Sequence, residues 1–176
     1  MNIDQHQLTD ITQISSPNYN DRPDPTDISL LVIHCISLPP GEFDNPYIGQ
    51  LFCNSLNPDD HPYFKAIHRL TVSAHLLIKR DGNCVQYVPF DKRAWHAGVS
   101  NYHGKNNCND FSIGIELEGI ESIAYTEAQY TRLADVIDTL LKTYPKLSRQ
   151  QITGHSEIAP GRKTDPGPSF DWQRIK

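Results

Sequence analysis

The spacing of apolar and polar positions divides the chain into a few clear elements. Ser29-Leu30-Leu31-Val32-Ile33-His34 is a near-continuous apolar run, the pattern of a strand covered on both faces, and it predicts a buried strand ending at His34. Val72–Lys79 and Cys84–Val88 read as two further strands, and the Asp81-Gly82 pair between them supplies the positive φ that a tight hairpin needs. Phe111–Glu118 alternates, with Ile113, Ile115 and Leu117 on one face and Gly114, Glu116 and Glu118 on the other. A polar face on an interior strand predicts that the face looks into a site. Thr126-Glu127-Ala128-Gln129 is a capping box. It opens a helix whose Tyr130, Leu133, Ile137, Leu140, Leu141 and Tyr144 keep helical spacing up to Pro145, so this helix should pack across the sheet.

The stretches between these elements are less regular. Residues 1–28 are polar and carry Pro17, Pro23 and Pro25, which predicts an irregular arm over the domain. From Ser37 to Leu70 the turn signals Pro39-Pro40-Gly41, Asn57-Pro58 and His61-Pro62 leave room for one short helix, around Tyr47–Asn54. So long an irregular segment is uncommon unless functional, and 37–70 is read as a lid or rim. Gln151-Ile152-Thr153 is a short apolar lead-in to Gly154–Pro168, which is too rich in Gly and Pro to predict regular structure, and Ser169–Trp172 reads as a short terminal helix. The whole describes a mixed α/β fold in one domain, 1–176.

Composition narrows the function. With 176 residues, 38% of them hydrophobic, the chain can bury a real core, and a net charge of −5 argues against nucleic acid or an acidic membrane face as partner. The start, MNIDQHQLTD, has no basic residue and no apolar stretch to serve as an export signal, and no apolar run is long enough to cross a bilayer. The four cysteines form no C-x-x-C pair and read as free thiols. These features predict a cytoplasmic monomer acting on a small molecule.

The candidate chemistry lies near the C-terminus. His155 and Asp165 stand ten residues apart, Lys163 precedes the Asp, and Pro166 biases Asp165 toward an extended backbone. Alone, such a pair is equally compatible with a surface loop. His34 adds a second imidazole, and two neutral nitrogens with one carboxylate can supply the three protein ligands of a catalytic zinc, leaving a position open for water. Glu116 can hold or deprotonate that water, although Glu118 shares its face and strand geometry does not choose between them. Lys163 can stabilise an oxyanion.

At these residues the sequence resembles a known family. Ser73-Ala74-His75, Arg93-Ala94-Trp95-His96-Ala97-Gly98, Ser112-Ile113-Gly114-Ile115-Glu116 and Thr153-Gly154-His155 together resemble the zinc N-acetylmuramoyl-L-alanine amidases, whose superfamily includes phage lysozyme-type amidases and peptidoglycan-recognition proteins. Leu38–Phe43, Val88–Arg93 and Lys163–Pro168 are similar to the cytosolic branch, the 1,6-anhydro-N-acetylmuramoyl-L-alanine amidases of wall recycling. The resemblance runs from about Ser16 to Trp172. It implies a central mixed β-sheet flanked by helices with a zinc cleft on one face, zinc on His34, His155 and Asp165, and Glu116 with Lys163 as the catalytic pair. It also implies an anhydromuropeptide substrate, cut between muramic acid and L-alanine. Phage-type relatives have a cysteine where this chain has Asp165. Some recycling amidases carry arginines near the positions of Thr71 and Asn107, so here Arg69 or Lys105 would have to meet peptide carboxylates. His75 and His96 read either as hydrogen-bond partners near the metal or as packed structural residues, and Trp95 either as a sugar-stacking residue or as core. His6, His61, His68 and His103 sit in polar segments and receive no role.

Overall fold

The computed structural model of the protein describes residues 1–175. Its centre is a mixed six-stranded sheet made of β1 (Thr12–Gln13), β2 (Leu30–Ile36), β3 (Leu76–Ile78), β4 (Cys84–Gln86), β5 (Ser112–Glu118) and β6 (Ile152–Gly154). The strand order is β6-β2-β5-β3-β4-β1, parallel throughout except for the β3–β4 hairpin. Among the described residues, four α-helices accompany it: α1 (Tyr47–Phe52), α2 (Phe64–Ile67), α3 (Glu127–Thr143) and α4 (His155–Ile158).

β2 and β5 form the middle of the sheet, paired along seven positions from Ser112 opposite Leu30 to Glu118 opposite Ile36. The apolar run of β2 does not stop at His34. Cys35 and Ile36 continue the strand because β5 offers partners to its own end, so His34 is an interior strand residue. The expected strand over Val72–Lys79 is shorter, Leu76–Ile78, since only Ile115 to Leu117 of β5 pair with it, and Cys84–Val88 contracts to Cys84–Gln86. Gly82, at φ +84°, closes the turn between them.

Helix α3 covers one face. Its Thr126 side chain accepts the Gln129 N–H while the Gln129 side chain reaches back to the Thr126 backbone, and the helix ends at Thr143 just before Pro145. Leu133, Val136, Ile137 and Leu140 are fully buried against Leu31, Ile33, Leu76, Ile78, Ile113, Ile115 and Leu117. Burying each such side chain stabilises the fold by about 1.5–3 kcal/mol.

The opposite face is covered in two pieces. Ile48, Leu51 and Phe52 of α1 and Phe64 of α2 pack with Leu77 and Val85, whereas Ala97, Cys108, Phe111 and Ile158 pack with Leu30 and Val32. Between these clusters the same face of β2 and β5 presents His34 and Glu116, which are register partners. The gap between the clusters is the cleft. Segment 37–70 is thus a packed border of the cleft with its own buried side chains, Leu38, Leu51 and Leu56 among them.

Residues 1–28 are irregular apart from an Ile3–Asp4/Gln7–Leu8 ribbon, edge strand β1 and the pairing of Tyr19–Asp21 with Lys92–Ala94. The terminal turn expected at Ser169–Trp172 forms three residues later, at Trp172–Arg174, where the Asp171 side chain caps it. The stretch after Gly154 is also more regular than its composition predicted. His155–Ile158 makes one helical turn, closed by the Ala159 N–H on the His155 carbonyl, because the first proline comes only at Pro160.

Candidate metal centre and catalytic cleft

Three separate elements bring one side chain each to the cleft floor: His34 from the middle of β2, His155 from the first position of α4, and Asp165 from the loop beyond it. The loop is pinned on both sides of the carboxylate. The Asp165 carbonyl accepts the Ser156 N–H at 2.9 Å, the Tyr125 hydroxyl donates to the Pro166 carbonyl at 2.8 Å, and Pro166 lies so close to Gly154 that a Cβ there would meet Cδ at 2.8 Å.

The ligand atoms converge. His34 Nδ1 lies 3.0 Å from His155 Nδ1 and 3.1 Å from Asp165 Oδ2, and the third side of the triangle, His155 Nδ1 to Asp165 Oδ2, is 3.2 Å. Ligands about 2.0–2.1 Å from a tetrahedral zinc stand roughly 3.3 Å apart, so the triangle fits that ion. The chemistry of the donor set agrees. His155 Nε2 faces the Ala97 carbonyl at 3.1 Å, which only accepts, so a neutral His155 carries its proton there and turns the Nδ1 lone pair inward. Burial lowers the His34 imidazole to about 4. Two imidazoles and a carboxylate aimed at one another form a set that could hold a cation. No other such cluster of His, Cys, Asp or Glu occurs among the described residues.

Beside this triangle stands Glu116. Its Oε2 is buried without a hydrogen-bond partner, and burial, then the Asp165 charge, raise its carboxyl well above the ordinary range while Lys163 pulls it down. Glu118, on the same face, is already engaged. One oxygen accepts the Asp44 N–H at 2.9 Å and the other the Arg80 N–H at 3.0 Å, so it ties the border segment to the hairpin. Of the two carboxylates, Glu116 is the one with a buried oxygen left without a partner.

The cleft, of about 320 Å³, is lined by His34, Glu116, His155, Lys163 and Asp165 together with Trp95, His96, Tyr63, Ile67, Leu70 and Val72. Lys163 is exposed at its mouth. Trp95 is half-buried and donates from its indole N–H to Asn20 Oδ1 at 2.8 Å, leaving the ring at the cleft wall. A larger cavity, about 860 Å³ between the N-terminal arm and α1, shares no lining residue with the cleft and gathers no ligand set.

Two expected substrate contacts fall elsewhere. His75 is fully buried below the cleft floor, where its Nδ1 accepts the Gly114 N–H at 3.0 Å and its Nε2 meets the Lys92 carbonyl at 3.0 Å, leaving nothing for a ligand. Arg69 is exposed and outside the lining. Lys105 pairs with Asp27 and lies over the Phe111 ring, so it does not replace a cleft arginine either. Other contributors left no mark in the sequence. Arg22, alone in the polar arm, is buried, lowered to about 10 by that burial, and donates to the carbonyls of Phe90, Asn109, Asp110 and Ser112, fastening the arm under the cleft. Tyr63 and Leu70, both substantially exposed, give the border an apolar lip that a turn-rich segment does not announce.

Comparison with known proteins agrees with this geometry. The family model for N-acetylmuramoyl-L-alanine amidase matches residues 24–168. The 1,6-anhydro-N-acetylmuramyl-L-alanine amidase AmpD of Salmonella typhimurium (strain SL1344) is 59% identical over 173 residues, 98% of this chain and 92% of that protein. A crystal structure of a selenomethionine AmpD derivative superposes with a TM-score of 0.97 at 58% identity, covering 99% of this chain and 97% of the other. The amidase AmiD from Escherichia coli, solved with anhydro-N-acetylmuramic acid-L-Ala-D-γ-Glu-L-Lys, matches at a TM-score of 0.62 and 28% identity over 85% of this chain and 56% of its own. The resemblance carried by the sequence motifs is borne out, and the chain belongs to the N-acetylmuramoyl-L-alanine amidase family.

Proposed function

We propose that the protein is a zinc-dependent amidase that hydrolyses the bond between 1,6-anhydro-N-acetylmuramic acid and the L-alanine of a stem peptide, as a step of peptidoglycan recycling in the cytoplasm. The observation that carries this reading is the triangle of His34, His155 and Asp165 beside the unpartnered Glu116 carboxylate. The anhydromuramic substrate comes from the relatives, the AmpD enzymes by their activity and AmiD by its bound ligand. The compartment is supported by the four free cysteines, which suit a reducing environment.

His34, His155 and Asp165 would hold the zinc, which supplies Lewis acidity and brings the pKa of a bound water to about 7. Glu116 takes the water's proton at Oε2, the oxygen that has no other partner, and its raised basicity suits that role near neutral pH. The same carboxyl then returns the proton to the departing alanine nitrogen. Lys163, at the mouth, places its ammonium beside the amide oxygen as negative charge develops there. Trp95 and the apolar lip of Tyr63 and Leu70 shield the sugar from water. The whole chain acts as one amidase domain, with 37–70 as its substrate-facing border.

Paired muropeptides that differ only in the anhydro bridge test the substrate. Mass spectrometry should find free stem peptide and anhydromuramic acid from the bridged form, at a kcat/KM about 10²-fold or more above the reducing form. Equal rates on both, or release of peptide from intact sacculi, would indicate a general wall amidase instead.

A further inference from the structure

The inward lone pair of His155 is secured by a carbonyl, but His34 has no such neighbour. Its Nδ1 is the corner shared by two of the three short contacts of the metal triangle, so for that atom to offer a lone pair the ring proton must sit on Nε2 and be donated there. What Nε2 meets is another imidazole, His96 Nδ1, at 2.9 Å, with the two rings nearly perpendicular at 86°. His96 can accept that proton only if its own proton is on Nε2, and Nε2 faces the buried Ser112 hydroxyl oxygen at 3.1 Å.

The His96 ring is fixed in this pose from three directions. Asn109 Oδ1 accepts the backbone N–H groups of His96 and Ala97 at 3.2 and 2.8 Å. Ser112 holds the far nitrogen. The ring lies flat on Gly114, where a Cβ would stand 2.5 Å from His96 Cγ and 2.6 Å from Nδ1, so any side chain at 114 would displace it. Ser112 and Gly114 alternate with Glu116 on one face of β5, so a single strand carries the relay's end, its seat and the catalytic carboxylate.

We propose that His96 is a positioning residue for the metal: as acceptor of the His34 Nε2–H, it sets the His34 tautomer and ring orientation, with Ser112 fixing its own. This rests on the zinc reading above. Metal-bound histidines usually donate their second N–H to a carboxylate, carbonyl or water, and loss of such a partner weakens metal affinity or activity by about 10–100-fold. Here the partner is a neutral imidazole, which accepts the bond without adding a second negative charge next to Asp165.

The test is zinc affinity by competition with a chromophoric chelator, together with the visible spectrum of the Co²⁺-loaded protein, on folded wild type, His96→Ala, His96→Asn and Ser112→Ala. His96→Ala should bind zinc about 10–100-fold more weakly and shift the cobalt bands. His96→Asn keeps an acceptor oxygen at the place of Nδ1 and should stay within a few-fold of wild type, while Ser112→Ala should fall between them. Equal affinities and spectra for His96→Ala and wild type would overturn the proposal, as would His96→Asn weakened as much as His96→Ala. Wild type that binds no stoichiometric zinc at all would instead overturn the metal reading, and this inference with it.

Discussion

Glu116 and Glu118 lie two residues apart on one face of one strand, yet they should respond to the same substitution with opposite signs. Glu118→Gln is isosteric and opens no cavity, but it puts an NH₂ against one of the two backbone N–H donors, of Asp44 and Arg80, that the carboxylate now accepts. One charge-assisted bond is lost and the other becomes neutral. Bonds to charged groups contribute about 1.5–3 kcal/mol and neutral ones roughly half as much, so the loss comes to about 3 kcal/mol, kept low because Asp44 is exposed and its N–H can turn to water. For a protein of this size about 1 kcal/mol moves Tm by roughly 2–4 °C, which predicts a fall of about 6–12 °C. Glu116→Gln removes a charge from a buried oxygen that bonds nothing, so Tm should hold or rise. Turnover should divide the other way. Glu116→Gln should lose about 10²-fold or more, whereas Glu118→Gln should keep its rate well below its melting temperature. Thermal melts of the chelated proteins and rates at 25 °C measure both. Equal drops in Tm, or a fully active Glu116→Gln, would refute the division of roles.

Asp165→Ala should purify with little zinc, since one of three protein ligands is gone, while Lys163→Ala should keep the metal and lose about 10²-fold or more in turnover; metal analysis beside kinetics separates the two, and full occupancy in Asp165→Ala would contradict the ligand set. Burial lowers His34 to about 4 and His75 to about 3, so the unfolded chain takes up these protons first. Stability of the chelated protein that is present above pH 6.5 should therefore be lost as pH falls from 6.5 toward 3, Glu116 acting in the opposite direction, and urea titrations showing constant or rising stability over that window would contradict the buried neutral histidines. Hydrogen exchange across 37–70 should slow when product binds if the segment closes on substrate, and protection equal with and without product would make it a fixed wall.

How much of this was legible in the sequence depends on what each signal is made of. Helix α3 and strand β5 were readable because their patterns are periodic over many residues, and a capping box marks a helix start by its own chemistry. Strand ends were not, because they depend on the neighbour: β2 outruns its apolar stretch since β5 continues beside it, and β3 is short since its pairing to β5 is short. The same holds for the site. His155 and Asp165 were visible in family motifs and His34 as the polar end of an apolar run, but that His75 spends both ring nitrogens on Gly114 and Lys92 is a fact of tertiary contact. Arg22 had no local signal, because its partners are carbonyls roughly seventy to ninety residues away along the chain.

The central claim is that His34, His155 and Asp165 hold the metal on which amide hydrolysis depends. The most direct measurement is turnover of an anhydromuropeptide by chelator-stripped protein as zinc is added back, with bound metal determined at each point. Activity should be absent from the stripped protein, rise in proportion to zinc, and level off at one ion per chain, and the His34→Ala protein should show no such rise. Full turnover by protein carrying no zinc, or a His34→Ala variant that recovers like wild type, would contradict it.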